Sequence, residues 1–168
     1  MNGRSGIGDS GLCSVDMNDF SFYSPTRFVF GRGAENKVGG LVRAFGGTKA
    51  LLHFGGGSAR RSGLYDRVVK SLAEAGVGCV PLGGVQPNPR SGLVREGIAL
   101  CRKEKADFVL AVGGGSVIDS AKAIAFGTLY EGDFADYYFG KDVKNQPQVP
   151  AALPIGTVLT IAAAGSEG

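Results

Sequence analysis

Histidine occurs once in the 168 residues, at His53, and cysteine three times, at Cys13, Cys79 and Cys101. One histidine cannot hold a metal ion without several partner ligands, and no other ligand cluster accompanies it. It also lacks the Ser-His-Asp or Cys-His setting that activates a nucleophile. It is read instead as a core residue of a buried strand. Three cysteines without C-x-x-C spacing exclude a disulfide framework and a cysteine metal site, and they point to a reducing cytoplasm. No apolar run approaches the roughly 18 residues of a membrane-spanning helix. Residues 1–16 lack the apolar stretch of a signal peptide and read as a flexible extension. Ordered patterning begins at Phe20, so residues 17–168 are taken as the folded unit. Charge of one sign is scarce too: 18 Lys and Arg stand against 15 Asp and Glu, a net +3. The basic residues are spread along the chain, which excludes the footprint of a nucleic-acid binder; Arg60-Arg61 is one adjacent basic pair.

Glycine is what the chain has in excess. Its 29 residues are more than twice the usual share of roughly 7%. They follow no G-X-Y period and cluster instead, which places them in loops. A hydrophobic content of 43% with a charged fraction of 20% describes a globular chain rather than a disordered one.

Between the glycine clusters, strand and helix signals alternate. Val38, Leu41, Val42 and Phe45 form a helical stripe closed by Gly46-Gly47. Residues 49–54 (KALLHF) read as a strand buried on both faces. After residues 55–57, Ser58 is positioned to cap a helix with the core stripe Leu64, Val68 and Leu72, ended by Gly76. A strand over 78–82 follows. Asn88 and Pro89 suit the cap and first position of a third helix, whose inner face is Leu93, Val94, Gly97, Ile98, Leu100 and Cys101. Residues 107–112 (DFVLAV) are the next buried strand. Ser116 then opens a helix with Val117, Ile118, Ala121, Ile124 and Ala125 on its apolar side. Residues 128–150 show no clear period, and 151–160 return to a strand-like run. This β-α-β-α order predicts the α/β class: a Rossmann-like, doubly wound parallel sheet. In such sheets ligands bind beyond the carboxyl ends of the strands, where these glycine clusters fall.

Gly113, Gly114, Gly115 and Ser116 join a strand to a helix. Glycines there let a phosphate approach the backbone, and the helix start supplies free N–H groups. Ser116 and Asp119 also match the S-x-x-[DE] capping box, so a tight turn with an ordinary cap stands beside the phosphate reading. The run is not G-x-G-x-x-G, because Ile118 occupies the third glycine position, and no P-loop pattern exists. A second cluster, Gly55, Gly56, Gly57 and Ser58, precedes Arg60 and Arg61. No Asp or Glu lies between Lys49 and Tyr65 to take a ribose 2′-hydroxyl, which favours NADP, with NAD as the alternative. The arginines are equally readable as solvated helix-surface residues. Lys122 is open to two readings, functional cation or surface residue.

Taken together, these motifs resemble the iron-containing (group III) alcohol dehydrogenases, most closely the butanol dehydrogenase and NADPH-dependent aldehyde reductase branch. The matching pieces are F-x-x-P-T-R-x-x-F-G over 22–31, G-G-G-S over 55–58 and G-G-V-x-P-N-P over 83–89. G-G-G-S-V-I-D-S-A-K over 113–122 and V-L-T-x-x-A-x-G-S-E over 158–167 complete the set. The resemblance covers nearly all of the chain after Met17. It implies that Gly113, Gly114, Gly115 and Ser116 bind a pyrophosphate, with Asp119 near the nicotinamide ribose. It sets Gly56, Gly57 and Ser58 near the adenosine ribose or its 2′-phosphate, and Asn88 and Thr160 along the cofactor cleft. Ala164 stands where the pattern often has Thr.

The implied activity is hydride transfer between a nicotinamide and a primary alcohol or aldehyde, aided by a divalent metal, iron or zinc. In such proteins one Asp and three His in a helical C-terminal domain hold that metal. These 168 residues carry no such set and stop where that domain would begin. The expectation is therefore the cofactor half of a two-domain enzyme, binding cofactor but inactive alone, cytoplasmic, and from a family often found as homodimers. A glycerol dehydrogenase-like fragment and a stand-alone nucleotide- or phosphate-binding module are the alternatives.

Overall fold

A computed structural model describes residues 24–136, 151–162 and 165–166. The expected extension over 1–16 and most of the irregular segment over 128–150 lie outside the described residues, as does Ala164. Among the described residues four strands form one sheet: β1 (Lys49–Gly55), β2 (Gly78–Val85), β3 (Phe108–Gly113) and β4 (Ile155–Leu159). All neighbours are parallel, in the order β2-β1-β3-β4. The helices are α1 (Val38–Ala44), preceded by a 3-10 turn over Ala34–Lys37, α2 (Ser58–Arg61), α3 (Leu64–Glu74), α4 (Ser91–Glu104) and α5 (Gly115–Leu129).

The chain leaves β1 toward β2 on one side, then returns across β1 to place β3 on the other. Right-handed crossovers in opposite directions put their helices on opposite faces. Ala50, Leu52 and Phe54 of β1 accordingly pack with Phe108, Leu110 and Val112 of β3 against Val42 of α1 and Val68 and Leu72 of α3. The alternate residues Leu51, Val109 and Ala111 pack against Val94 and Ile98 of α4 and Ile118, Ala121 and Ile124 of α5. The central strands are buried on both sides, as their unalternating sequences predicted. Helices α4 and α5 approach closely because each offers a glycine. A side chain at Gly97 would strike Ile124, and one at Gly127 would strike Ile98.

Several local expectations change. The helix expected from Ser58 onward is two helices, broken where Gly63 adopts φ 69°, a left-handed conformation. Gly57, not Ser58, precedes α2, and no side chain caps it. Asn88 and Pro89 do not start α4, which begins at Ser91 behind an extended Arg90. Pro89 disfavours helical geometry at the preceding residue, and Asn88 takes φ 61°, which asparagine tolerates. Strand β3 starts at Phe108 because Asp107 turns its carboxylate onto the backbone N–H groups of Thr48 (2.9 Å) and Lys49 (2.8 Å). The apolar residues Phe28, Val29 and Phe30 lie exposed and outside any strand.

Candidate functional site

Strands β1 and β3 are neighbours, with Phe54 opposite Val112, and they leave the sheet's centre toward helices on opposite faces. Such a reversal of strand order opens a crevice at the carboxyl ends of the two strands. Both glycine clusters stand there. Gly55 and Gly113 end β1 and β3, so Gly56, Gly57 and Ser58 rise beside Gly114, Gly115 and Ser116. Val117 braces the pair from below. Its side chain fills the place where a Cβ on Gly113 would sit, and lies 3.8 Å from that of Gly55. Thr160 follows β4 and joins the same rim, its N–H donating to the Gly113 carbonyl at 3.0 Å.

Gly114 is the most informative position. Its φ of −97° and ψ of −166° are open to any residue, so conformation does not demand glycine. Packing does not demand it either. A Cβ there would meet only the Ile161 carbonyl, at 4.0 Å. The missing side chain leaves an open cradle directly before α5. Val117 and Ile118 donate to the Gly114 carbonyl, at 3.0 and 3.2 Å, so the N–H groups of Gly115 and Ser116 precede the first helical bonds. No side chain caps this end, so the expected Ser116–Asp119 capping box is not formed. A 15-residue helix aims its positive end at the cradle, the arrangement that suits a phosphate or pyrophosphate.

Asp119 is exposed one turn along α5. Asn88 lies at the same end of the sheet, three residues past β2 and therefore across β1 from β3. An open hollow of about 410 Å³ adjoins it, lined by Gly84, Gln86, Arg90, Ser91, Gly92 and Leu93. Lys122 is half-buried on α5.

His53 takes no part. It is fully buried, with Nδ1 3.1 Å from the Leu82 carbonyl and Nε2 2.9 Å from Ser120 Oγ. A carbonyl can only accept, so Nδ1 carries the proton and Nε2 accepts from the Ser120 hydroxyl. Burial lowers its pKa to about 4, so the ring is neutral and ties β1, β2 and α5 together. Burial likewise pushes the Cys79 and Cys101 thiols up, away from the reactive thiolate. Among the described residues no three His, Cys, Asp or Glu stand close enough to hold a metal ion. The described residues do not fit a metal site, and the chain's one histidine is committed to the core.

The two arginines that looked alike in sequence differ in place. The Arg60 guanidinium lies over the rings of Tyr65 (4.7 Å) and Phe54 (5.2 Å). Arg61 folds back onto Gly57, where an added Cβ would run into its Nη1. Sequence reasoning also missed the bracing by Val117, whose only signal was membership of an apolar stripe.

A model of the iron-containing alcohol dehydrogenase family matches residues 25–168. The chain is 48% identical over 151 residues to the probable NADH-dependent butanol dehydrogenase 1 of Bacillus subtilis, covering 90% of this chain and 38% of that protein. It is 36% identical over 156 residues to the NADPH-dependent aldehyde reductase YqhD of Escherichia coli, again spanning 38% of the relative. Among solved structures, NADH-dependent butanol dehydrogenase A of Thermotoga maritima superposes with a TM-score of 0.83 at 48% identity, over 89% of this chain and 36% of that one. The chain thus spans under two fifths of the length of these relatives. Family model, sequence likeness and fold likeness agree, and the chain belongs to the iron-containing alcohol dehydrogenase family.

Proposed function

We propose that residues 17–168 form the dinucleotide-binding part of an NADP-dependent alcohol dehydrogenase or aldehyde reductase, with residues 1–16 an extension to it. The observation that carries the reading is the open cradle at Gly114, set before the uncapped start of α5 at the reversal of strand order. Gly113, Gly114, Gly115 and Ser116 hold the pyrophosphate through backbone N–H groups and helix dipole. Gly56, Gly57 and Ser58 take the adenosine ribose. Asp119 and Thr160 approach the nicotinamide ribose, and Asn88 borders the cleft. When bound, the nicotinamide supplies or accepts a hydride at the carbon of a small alcohol or aldehyde.

Three facts bear on the choice of cofactor. No carboxylate stands between Lys49 and Tyr65, two arginines do, and relatives bear both NADH- and NADPH-dependent names. A 2′-phosphate suits that charge pattern better than a 2′-hydroxyl. The metal of the reaction has no home among the described residues, so the chain's share of the chemistry is binding and orientation. Titration calorimetry with NADP⁺ and NAD⁺ tests the reading. Binding of a dinucleotide, tighter for NADP⁺, is expected, with no alcohol-dependent NADP⁺ reduction by the purified 168-residue chain. Failure to bind either dinucleotide refutes it.

A further inference from the structure

We infer that the adjacent arginines divide their work: Arg61 is the residue that selects a 2′-phosphorylated ribose, while Arg60 is a clamp that sets the corner of the loop. The inference rests on the dinucleotide reading above and names the residue within it that discriminates between cofactors.

Three arginines crowd the corner after β1, and two are engaged. Arg67 pairs through Nε with Glu35 at 2.9 Å and donates from Nη1 to the Ser62 carbonyl at 3.2 Å. Arg60 lies over Tyr65 and Phe54, whose own rings stand 4.9 Å apart, so its charge is held on an aromatic platform. Arg61 has neither an ion pair nor a ring partner among the described residues, and it is exposed.

The guanidinium of Arg61 lies against Gly57. The glycine's φ of −84° and ψ of −9° are ordinary helical values, so no conformational need selects glycine there. What a side chain would do is collide with the Arg61 guanidinium. The Arg61 guanidinium thus lies over Gly57, in the loop that follows the carboxyl end of β1. An unpaired guanidinium, in a loop without a carboxylate, matches the forked geometry of a phosphate monoester.

The test measures affinities of the 168-residue chain and its variants for NADP⁺ and NAD⁺ by calorimetry. Arg61→Ala is expected to lower the ratio of NADP⁺ to NAD⁺ affinity by about tenfold or more. Arg61→Lys, which keeps the charge but not the fork, is expected to retain part of that ratio. Arg60→Ala is expected to lower the melting temperature and leave the ratio unchanged. An Arg61→Ala ratio equal to that of the unmodified chain overturns the inference, as does an equal fall in Arg60→Ala. In both cases dinucleotide binding itself persists, so the dinucleotide reading survives. If the unmodified chain binds neither dinucleotide, both fall together. Should Arg60→Ala fail to fold, the Arg61 pair still decides, because that side chain is exposed and supports nothing else.

Discussion

Gly114 and Gly97 are both glycines, and they carry opposite predictions. At Gly114 an added methyl meets one atom, at 4.0 Å, and the backbone accepts it. Gly114→Ala is expected to leave the urea midpoint nearly unchanged while weakening dinucleotide binding by tenfold or more, on the order of 1–3 kcal/mol for lost phosphate contacts. Calorimetry and denaturation on one sample check both halves. His53 gives a pH dependence. Its folded pKa of about 4 lies below the ordinary 6.5, so between these values the unfolded chain binds more protons than the folded one. Stability therefore falls as pH drops from about 6.5 to about 4, by about 3 kcal/mol at most. Denaturation across that window is expected to show the slope, and His53→Gln to flatten it while lowering stability near pH 7.

Elements are held together by contacts that no single element contains. Arg102 of α4 reaches over the end of α5 and donates to the carbonyls of Gly127 (2.7 Å), Thr128 (3.0 Å) and Tyr130 (2.6 Å). It thus caps carbonyls that an α-helix leaves without partners. Arg102→Met keeps the stem and loses the cap. It is expected to cost about 1 kcal/mol, a modest figure because the side chain is largely exposed. Guanidinium-chloride midpoints read it. Where α4 crosses α5, the demand is steric. Gly97→Val would force Ile124 and Leu82 aside, and is expected to cost 1–3 kcal/mol or more, on the order seen for overpacked cores. The same denaturation series separates it from Gly114→Ala.

At the scale of the molecule, the order β2-β1-β3-β4 is what brings the candidate site together. Only where the winding reverses do two strand-to-helix loops face each other rather than follow the same helix layer. Ligand linkage follows: NADP⁺ at a hundred times its dissociation constant is expected to stabilise the chain by about 2.7 kcal/mol. A rise in melting temperature absent from Gly114→Val would tie that gain to the cradle.

Much of this was readable from residues in order. Alternating stripes and glycine punctuation specify parallel α/β winding, because hydrophobic period and turn chemistry are local properties. The motifs over 113–122 and 158–167 specify the family for the same reason. Local signals failed where competing local rules met. Ser58, Ser116 and Asn88 each have cap chemistry, yet Gly57, Gly114 and Arg90 precede the helices. The roles of Arg60 and Arg61 were out of reach as well. One meets rings brought in by β1 and α3, the other meets a loop, and which does which depends on the turn of α2. Composition and period settle which elements form, since each is written within a few residues. Which loops meet, which glycine is open and which arginine is unpaired arise only from packing, because those relations join residues distant in the chain.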